Sequence, residues 1–79
     1  MEKGQIVRSL KGSDKNTFLL VVSANEKELL LCDGKRYKLE KPKRKNPKHI
    51  AETKTILDVS QLTTDKAVRK ALAAWRVTL

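Results

Sequence analysis

The chain has 79 residues, of which 39% are hydrophobic and 4% aromatic, and its formal net charge is +9. A chain of this length forms one small domain with an aliphatic core, which leaves little volume for an enclosed active site. No apolar run approaches the roughly 20 residues of a membrane-spanning helix. With one His, one Cys and no glycine-rich phosphate loop, the sequence predicts no enzyme, no metal site and no cofactor.

The position of Cys32 and the character of the N-terminal residues bear on location. The first ten residues lack the apolar stretch of a secretion signal. Cys32 has no second cysteine to pair with and lies in the apolar run LLLC, which favours a packed thiol over a reactive one. We therefore expect a cytoplasmic protein.

The basic charge is concentrated in the middle of the chain. Residues 1–34 are neutral overall, whereas residues 35–48 carry eight basic side chains and one acidic side chain, Glu40. Like charges at this density repel one another unless a polyanion neutralises them. The distribution therefore predicts a polyanionic partner.

The first half of the chain has the pattern of short β-strands. The apolar runs at 17–23 and 28–33 are typical of buried strands, and residues 36–40 alternate, which predicts Tyr37 and Leu39 on one side. Asp33-Gly34 predicts a two-residue hairpin turn before residues 36–40. Strands at this spacing predict a closed or nearly closed antiparallel barrel. The predicted strands are 4–10, 17–23, 28–33, 36–40 and, as a short fifth strand, 48–53.

Residues 41–48, KPKRKNPK, match neither the strand period nor the helix period. Pro42 and Pro47 remove backbone donors and favour extended geometry in the residues before them. None of the eight residues is apolar enough for a core. We therefore expect a basic arm or long loop at 41–48 that contributes nothing to folding.

The C-terminal part of the chain changes to a helical period. Val68, Ala71, Leu72 and Trp75 fall on one face of a helix predicted at about 64–76. Thr64 is the predicted N-cap. We expect the apolar face to dock on the barrel and close one end of it. Residues 1–79 then form a single domain, mainly β, with a C-terminal α-helix.

The stretch KGQIVRSLKGSDKNTFLLVVS resembles a KOW motif, which belongs to small SH3-like barrels in ribosomal proteins and transcription elongation factors. Gly4 opens the first strand, and the loop contains Lys11, Gly12, Asp14 and Lys15. The family usually has Gly where this chain has Asn16, a residue that tolerates left-handed geometry, so we expect the loop to keep its shape.

The continuation DGKRYKLEKPKRKNPKHI is similar to bacterial KOW-domain RNA-binding proteins, which resemble archaeal and eukaryotic ribosomal KOW proteins. The resemblance covers nearly all of the chain and implies RNA binding, above all to ribosomal RNA, as a component of the large ribosomal subunit or an associated factor. It also implies contacts from the first loop to RNA.

Basic side chains on an extended segment can follow a phosphate backbone, and each contact releases a counterion. Arg44 can bind a phosphate with two parallel hydrogen bonds, whereas the lysines act as point charges. Tyr37 and Trp75 are candidates either for stacking on bases or for the core, and His49 for contact with a base or a phosphate. The predicted RNA-binding residues are Arg8, Lys11, Lys15, Lys35, Arg36, Lys38, Lys41, Lys43, Arg44, Lys45, Lys48 and His49.

Other functions fit the sequence less well. A transcription-type KOW module that binds polymerase or another protein would more often show an exposed apolar patch and less charge. An anionic membrane surface would attract the basic segment, but the chain lacks an amphipathic anchor, so we expect no membrane partner. A non-specific nucleic-acid binder stays open, because the charge pattern fits RNA and DNA backbones alike. We expect a monomer when the protein is free.

Overall fold

The computed structural model describes residues 1–77 as one five-stranded antiparallel sheet followed by one helix. The spatial order of the strands is β4-β3-β2-β1-β5. The predicted class, a small mainly β, barrel-like fold with a C-terminal helix, is confirmed. The strands are β1 (Gln5–Ser9), β2 (Phe18–Ala24), β3 (Leu29–Cys32), β4 (Lys43–Lys45) and β5 (Ile50–Ile56), with 3-10 turns at Pro47–His49 and Val59–Gln61 and the helix α1 at Asp65–Val77.

Both faces of the sheet are apolar. Successive side chains of a strand point to opposite sides, and β1 and β2 contain consecutive apolar residues. The register pairs Val7 with Leu19 on the inner face and Ile6 with Leu20 on the outer face. The helix does not cover the inner face, yet the apolar residues of that face are almost fully buried. The sheet therefore curls around them as a barrel does. The inner cluster comprises Val7, Leu19, Val21, Leu29, Leu31 and Ile50.

Helix α1 packs against the outer face of the sheet. Val68 and Leu72 are buried there with Ile6, Leu20 and Cys32. The Oγ1 atom of Thr64 accepts a hydrogen bond from the N–H of Ala67 at 3.1 Å, which confirms the predicted N-cap. The predicted helix is therefore confirmed, but it covers one face of the barrel-like sheet rather than closing an end.

The predicted fourth strand at 36–40 is wrong. The Asp33 carboxylate accepts hydrogen bonds from the N–H groups of Lys35 and Tyr37, both at 2.9 Å, and this holds the chain in a loop instead of a two-residue hairpin. Tyr37 packs against the inner cluster, whereas Leu39 packs against the outer one. The two side chains therefore lie on opposite faces of the sheet and not on one.

The segment 41–48 is not an arm outside the fold. Residues 43–45 form β4, which pairs with β3 and matches Leu29 with Lys45 and Leu31 with Lys43. Pro42 and Pro47 lie just outside this three-residue strand, so neither interrupts its hydrogen bonds. Charged lysines at a sheet edge also discourage pairing with another chain. The basic segment is thus part of the sheet.

The loop between β1 and β2 has the geometry expected from the sequence. Asn16 has a φ of 70°, the left-handed conformation that Asn tolerates. Its N–H donates to the carbonyl oxygen of Ser9 at 2.8 Å, and the N–H of Ser9 donates to that of Thr17 at 2.9 Å. The loop therefore keeps its shape with Asn16 in place of Gly, as predicted.

Candidate nucleic-acid interface

Asp14, in the loop between β1 and β2, is the centre of a polar network at one end of the inner cluster. Its carboxylate accepts hydrogen bonds from the Ser9 hydroxyl at 2.8 Å and the Tyr37 hydroxyl at 3.2 Å, and it forms an ion pair with Lys45. Burial by itself raises the pKa of Asp14, but the hydrogen bonds from Lys45 and Ser9 and the charge of Lys45 outweigh it. The pKa is lowered overall, so the carboxylate is charged at neutral pH.

Lys45 is committed to this network. Because Lys45 pairs with Leu29, its side chain points to the inner face, where it is 9% exposed. Its ammonium group also donates to the carbonyl oxygen of Lys11 at 2.9 Å. Lys45 is one of the predicted RNA ligands, but its charge is neutralised internally by Asp14. Its side chain instead connects β4 to the loop between β1 and β2.

Tyr37 carries two cations on its ring. The guanidinium carbon of Arg36 lies 5.5 Å from the ring centroid, and the ammonium nitrogen of Lys43 lies 5.9 Å from it. Both distances are in the range of cation–π attraction. Arg36 also donates to the Ser13 hydroxyl at 3.0 Å. We call Arg36, Tyr37 and Lys43 the Tyr37 cluster.

The phenol of Tyr37 is held in the donor state. Burial raises its pKa, and the negative charge of Asp14 raises it further. The hydroxyl therefore keeps its proton and donates to Asp14. Since Asp14 is fixed in turn by Ser9 and Lys45, the ring that carries Arg36 and Lys43 has a defined position.

Other predicted ligands from the basic segment lie at the surface around β4. Lys38 and Lys41 flank a tight turn in which the N–H of Lys41 donates to the carbonyl oxygen of Lys38 at 3.0 Å. Arg44 points away from the inner face and makes a 3.9 Å contact with Glu28 between two exposed side chains, a weak ion pair. Lys48 lies exposed in the 3-10 turn that follows.

Five predicted ligands remain, of which Lys11 is exposed in the first loop. Arg8 is on the outer face of β1, opposite Phe18 and Ala51 in the sheet register. Lys15 is exposed in the first loop. His49 is half-buried at the end of a 3-10 turn, and its carbonyl oxygen accepts from the N–H of Leu10 at 2.9 Å. Lys35 lines a separate groove beside α1.

Trp75 packs against the sheet. Its ring meets that of Phe18 edge to face, with centroids 4.8 Å apart and planes at 69°. Its indole N–H donates to the Oγ1 of Thr55 on β5 at 2.8 Å. Of the two readings left open for Trp75, these contacts favour the packed one, and the same holds for Tyr37.

Asp14 is the residue of this network that the sequence does not single out. In the sequence it is one acid among the basic residues of the first loop, and nothing in its local pattern points to Lys45, 31 residues away, as its partner. A buried acid needs a compensating charge, but only the three-dimensional structure identifies which lysine provides it.

Comparisons with known proteins do not add to this geometry. No protein-family model matches the chain, and a comparison with curated proteins finds no match either. In the described part of the chain, no helix has the length and apolar character needed to cross a membrane.

Proposed function

We propose that the protein binds RNA by its sugar-phosphate backbone, through the Tyr37 cluster and the exposed cations next to it. The observation that supports this proposal is the convergence of Arg36 and Lys43 on one fixed ring. Within residues 1–77 neither cation has a carboxylate at ion-pair distance, so both charges are available to a phosphate.

The network behind the ring supports the same proposal. Within residues 1–77, the one buried carboxylate near the cluster is that of Asp14, which is neutralised by Lys45 and accepts hydrogen bonds from Ser9 and Tyr37. The acid therefore fixes the geometry without cancelling the field of the exposed cations. Positions held before binding lose less entropy when a ligand arrives, which favours affinity.

The mode of recognition follows from the side chains available. The chain has one Tyr, one Trp and one Phe, and Trp75 is engaged by Phe18 and Thr55. Extended stacking on bases is therefore a minor term, and affinity arises from phosphate contacts and shape. The resemblance to KOW proteins makes ribosomal RNA the proposed target, with a cytoplasmic, ribosome-associated role.

The test is sedimentation of the tagged protein from a cell lysate through a sucrose gradient, at low salt and after a high-salt wash. We expect the protein to travel with the large ribosomal subunit at low salt and to be released as the salt is raised, because its affinity rests on phosphate contacts. A variant with Arg36→Gln and Lys43→Gln should shift to the top of the gradient. Lys27→Gln with Lys54→Gln removes the same charge from exposed positions elsewhere and should sediment like the unmodified protein.

Other distributions would redirect the assignment. Spread over all RNA at low salt would indicate a general backbone binder and contradict a ribosomal site. Sedimentation with RNA polymerase, insensitive to ribonuclease, would contradict RNA binding and favour a transcription-type module.

A further inference from the structure

A second basic site lies beside helix α1, at a groove of about 310 Å³. One wall is the helix, the other is formed by residues 16–18 and 33–35, and Phe18 and Leu72 contribute apolar surface. Beside the groove, the helix packs directly against the backbone of Gly34. A Cβ atom there would lie 2.2 Å from the carbonyl oxygen of Asp65 and 2.9 Å from the Cγ of Arg69.

Three cations line the groove: Lys35, Arg69 and Arg76. The two arginines are seven residues apart, which places them on the same side of α1 and roughly 10 Å apart along its axis. Ala73 lies between them and leaves the space open. Within residues 1–77, none of the three cations has a carboxylate at ion-pair distance.

The groove also contains groups that suit a base. Asp33 is the one acid that lines it, and the Oδ1 atom of Asp33 accepts hydrogen bonds from the N–H groups of Lys35 and Tyr37. The side-chain amide of Asn16 makes no hydrogen bond within the described chain, so it can donate and accept at the edge of a base. Phe18 is half-buried and offers apolar surface.

We propose that this groove binds one unpaired nucleotide of RNA. Arg69, Arg76 and Lys35 hold the flanking phosphates, Phe18 contacts the base, and Asn16 bonds its edge. An arginine can bind a phosphate with two parallel hydrogen bonds, and an unpaired base can turn out of its stack into a pocket. A base inside a duplex would first have to lose its pairing and stacking, which costs free energy. This inference rests on the proposed function, since it adds a second contact, between the groove and an unpaired nucleotide, to an RNA that the Tyr37 cluster binds.

Trp75 provides a built-in reporter. It is the single tryptophan, and its ring touches that of Phe18. A base that contacts Phe18 should change both the indole fluorescence and the backbone amide resonances of Thr17 and Lys35. The first experiment is therefore an NMR and fluorescence titration of the full chain with a 5′-phosphorylated uridine trinucleotide, and separately with inorganic phosphate.

We expect the trinucleotide to shift the groove resonances and change the fluorescence, and phosphate alone to bind at least about tenfold more weakly. Equal effects from phosphate would reduce the groove to an anion site and overturn the nucleotide assignment. If the trinucleotide changed only the amide resonances of the Tyr37 cluster, or none at all, the groove would not be a binding site.

A variant series separates this inference from the function on which it rests. Arg69→Gln with Arg76→Gln should weaken binding of single-stranded RNA about tenfold and lower the salt slope by roughly 1.4, because two phosphate contacts are lost. Lys66→Gln with Lys70→Gln removes the same charge from the same helix outside the groove, and its affinity should stay within about twofold.

Equal affinities for these two helix variants, with loss on Arg36→Gln and Lys43→Gln, would disprove the groove and leave the function intact. Weaker binding by Arg69→Gln with Arg76→Gln, together with unchanged binding by Arg36→Gln with Lys43→Gln, would disprove the Tyr37 cluster as the RNA site and leave the groove standing. An unchanged melting temperature in all variants checks that the fold is preserved.

Discussion

Lys45 and Asp14 form an ion pair in which the two side chains are 9% and 4% exposed. The pair joins the edge strand β4 to the loop between β1 and β2, segments that are far apart in sequence. A lysine from a segment that looks purely surface-directed thus supplies the counter-charge of a buried acid. Because of this ion pair, the eight basic residues of 35–48 divide into one structural cation, Lys45, and several exposed cations.

Lys45→Gln should destabilise the fold strongly. Removing one partner of a buried ion pair leaves the other charge uncompensated, at a cost of roughly 3–5 kcal/mol. The measurement is urea unfolding followed by circular dichroism. Arg44→Gln, next in the chain, is the control and should change the free energy of unfolding by at most about 0.5 kcal/mol because its ion pair is exposed. Equal stabilities of the two variants would show that the Lys45–Asp14 pair contributes nothing.

The same pair predicts how stability depends on pH. The pKa of Asp14 is lowered in the folded state from its ordinary value of 3.8, so the unfolded state binds the proton more readily. The stability contributed by this carboxylate is therefore complete well above pH 3.8 and is lost as pH falls below that value. We expect the urea midpoint to hold from pH 7 to 5 and to drop toward pH 3.

Asp14→Asn isolates that contribution. The variant should be less stable at pH 7, and its urea midpoint should fall less between pH 5 and pH 3. Asp58, whose pKa is also lowered by hydrogen bonds from Ser60, is fully exposed, so Asp58→Asn should leave most of the acid-induced loss in place. If the urea midpoint of Asp14→Asn fell as much between pH 5 and pH 3 as that of the unmodified protein, the loss of stability in acid would come from other carboxyl groups.

Gly34→Ala should destabilise the protein more than Gly12→Ala. Both glycines have a positive φ, 78° and 93°, so each substitution carries left-handed strain of about 1–2 kcal/mol. A Cβ at Gly12 meets nothing closer than 3.6 Å, whereas one at Gly34 would lie 2.2 Å from the Asp65 carbonyl oxygen. Displacing the helix adds roughly 1–3 kcal/mol. Equal melting temperatures for the two variants would mean that α1 does not pack on Gly34.

Cys32 should be inert in the folded protein. Burial, followed by the negative charges of Asp33 and Asp65, raises the pKa of its thiol to about 12. The side chain is fully buried on the outer face beneath α1. A disulfide reagent at pH 8 should therefore react only after urea is added, with one equivalent of thiol. Rapid labelling without urea would place the thiol at the surface.

The elements that could be predicted from the sequence are those whose pattern reflects burial. Examples are the apolar runs of β2 and β3 and the Val68–Leu72 face of α1. Each was predictable because the spacing of apolar residues indicates which side of a strand or helix is buried. The positive φ of Asn16 was also predictable, since few residues adopt it without strain.

The elements that could not be predicted depend on distant partners. β4 has no apolar residue, and it is a strand because β3 offers it backbone hydrogen bonds and Asp14 offers Lys45 a counter-charge. Residues 36–40 alternate as a strand would, yet the Asp33 carboxylate captures the N–H groups of Lys35 and Tyr37 and bends the chain. For the candidate site, the concentration of charge was visible in the sequence. That Lys45 is paired with a buried acid whereas Lys43 is exposed was not visible there.

The most direct test of the central claim is the salt dependence of RNA affinity, measured by fluorescence anisotropy on a ribosomal RNA fragment between about 50 and 200 mM salt. We predict a steep linear fall of log affinity with log salt for the unmodified protein. Arg36→Gln with Lys43→Gln should bind roughly tenfold more weakly with a slope lower by about 1–2, whereas Lys27→Gln with Lys54→Gln should keep the slope. Identical slopes and affinities for all three proteins would contradict backbone binding by the Tyr37 cluster.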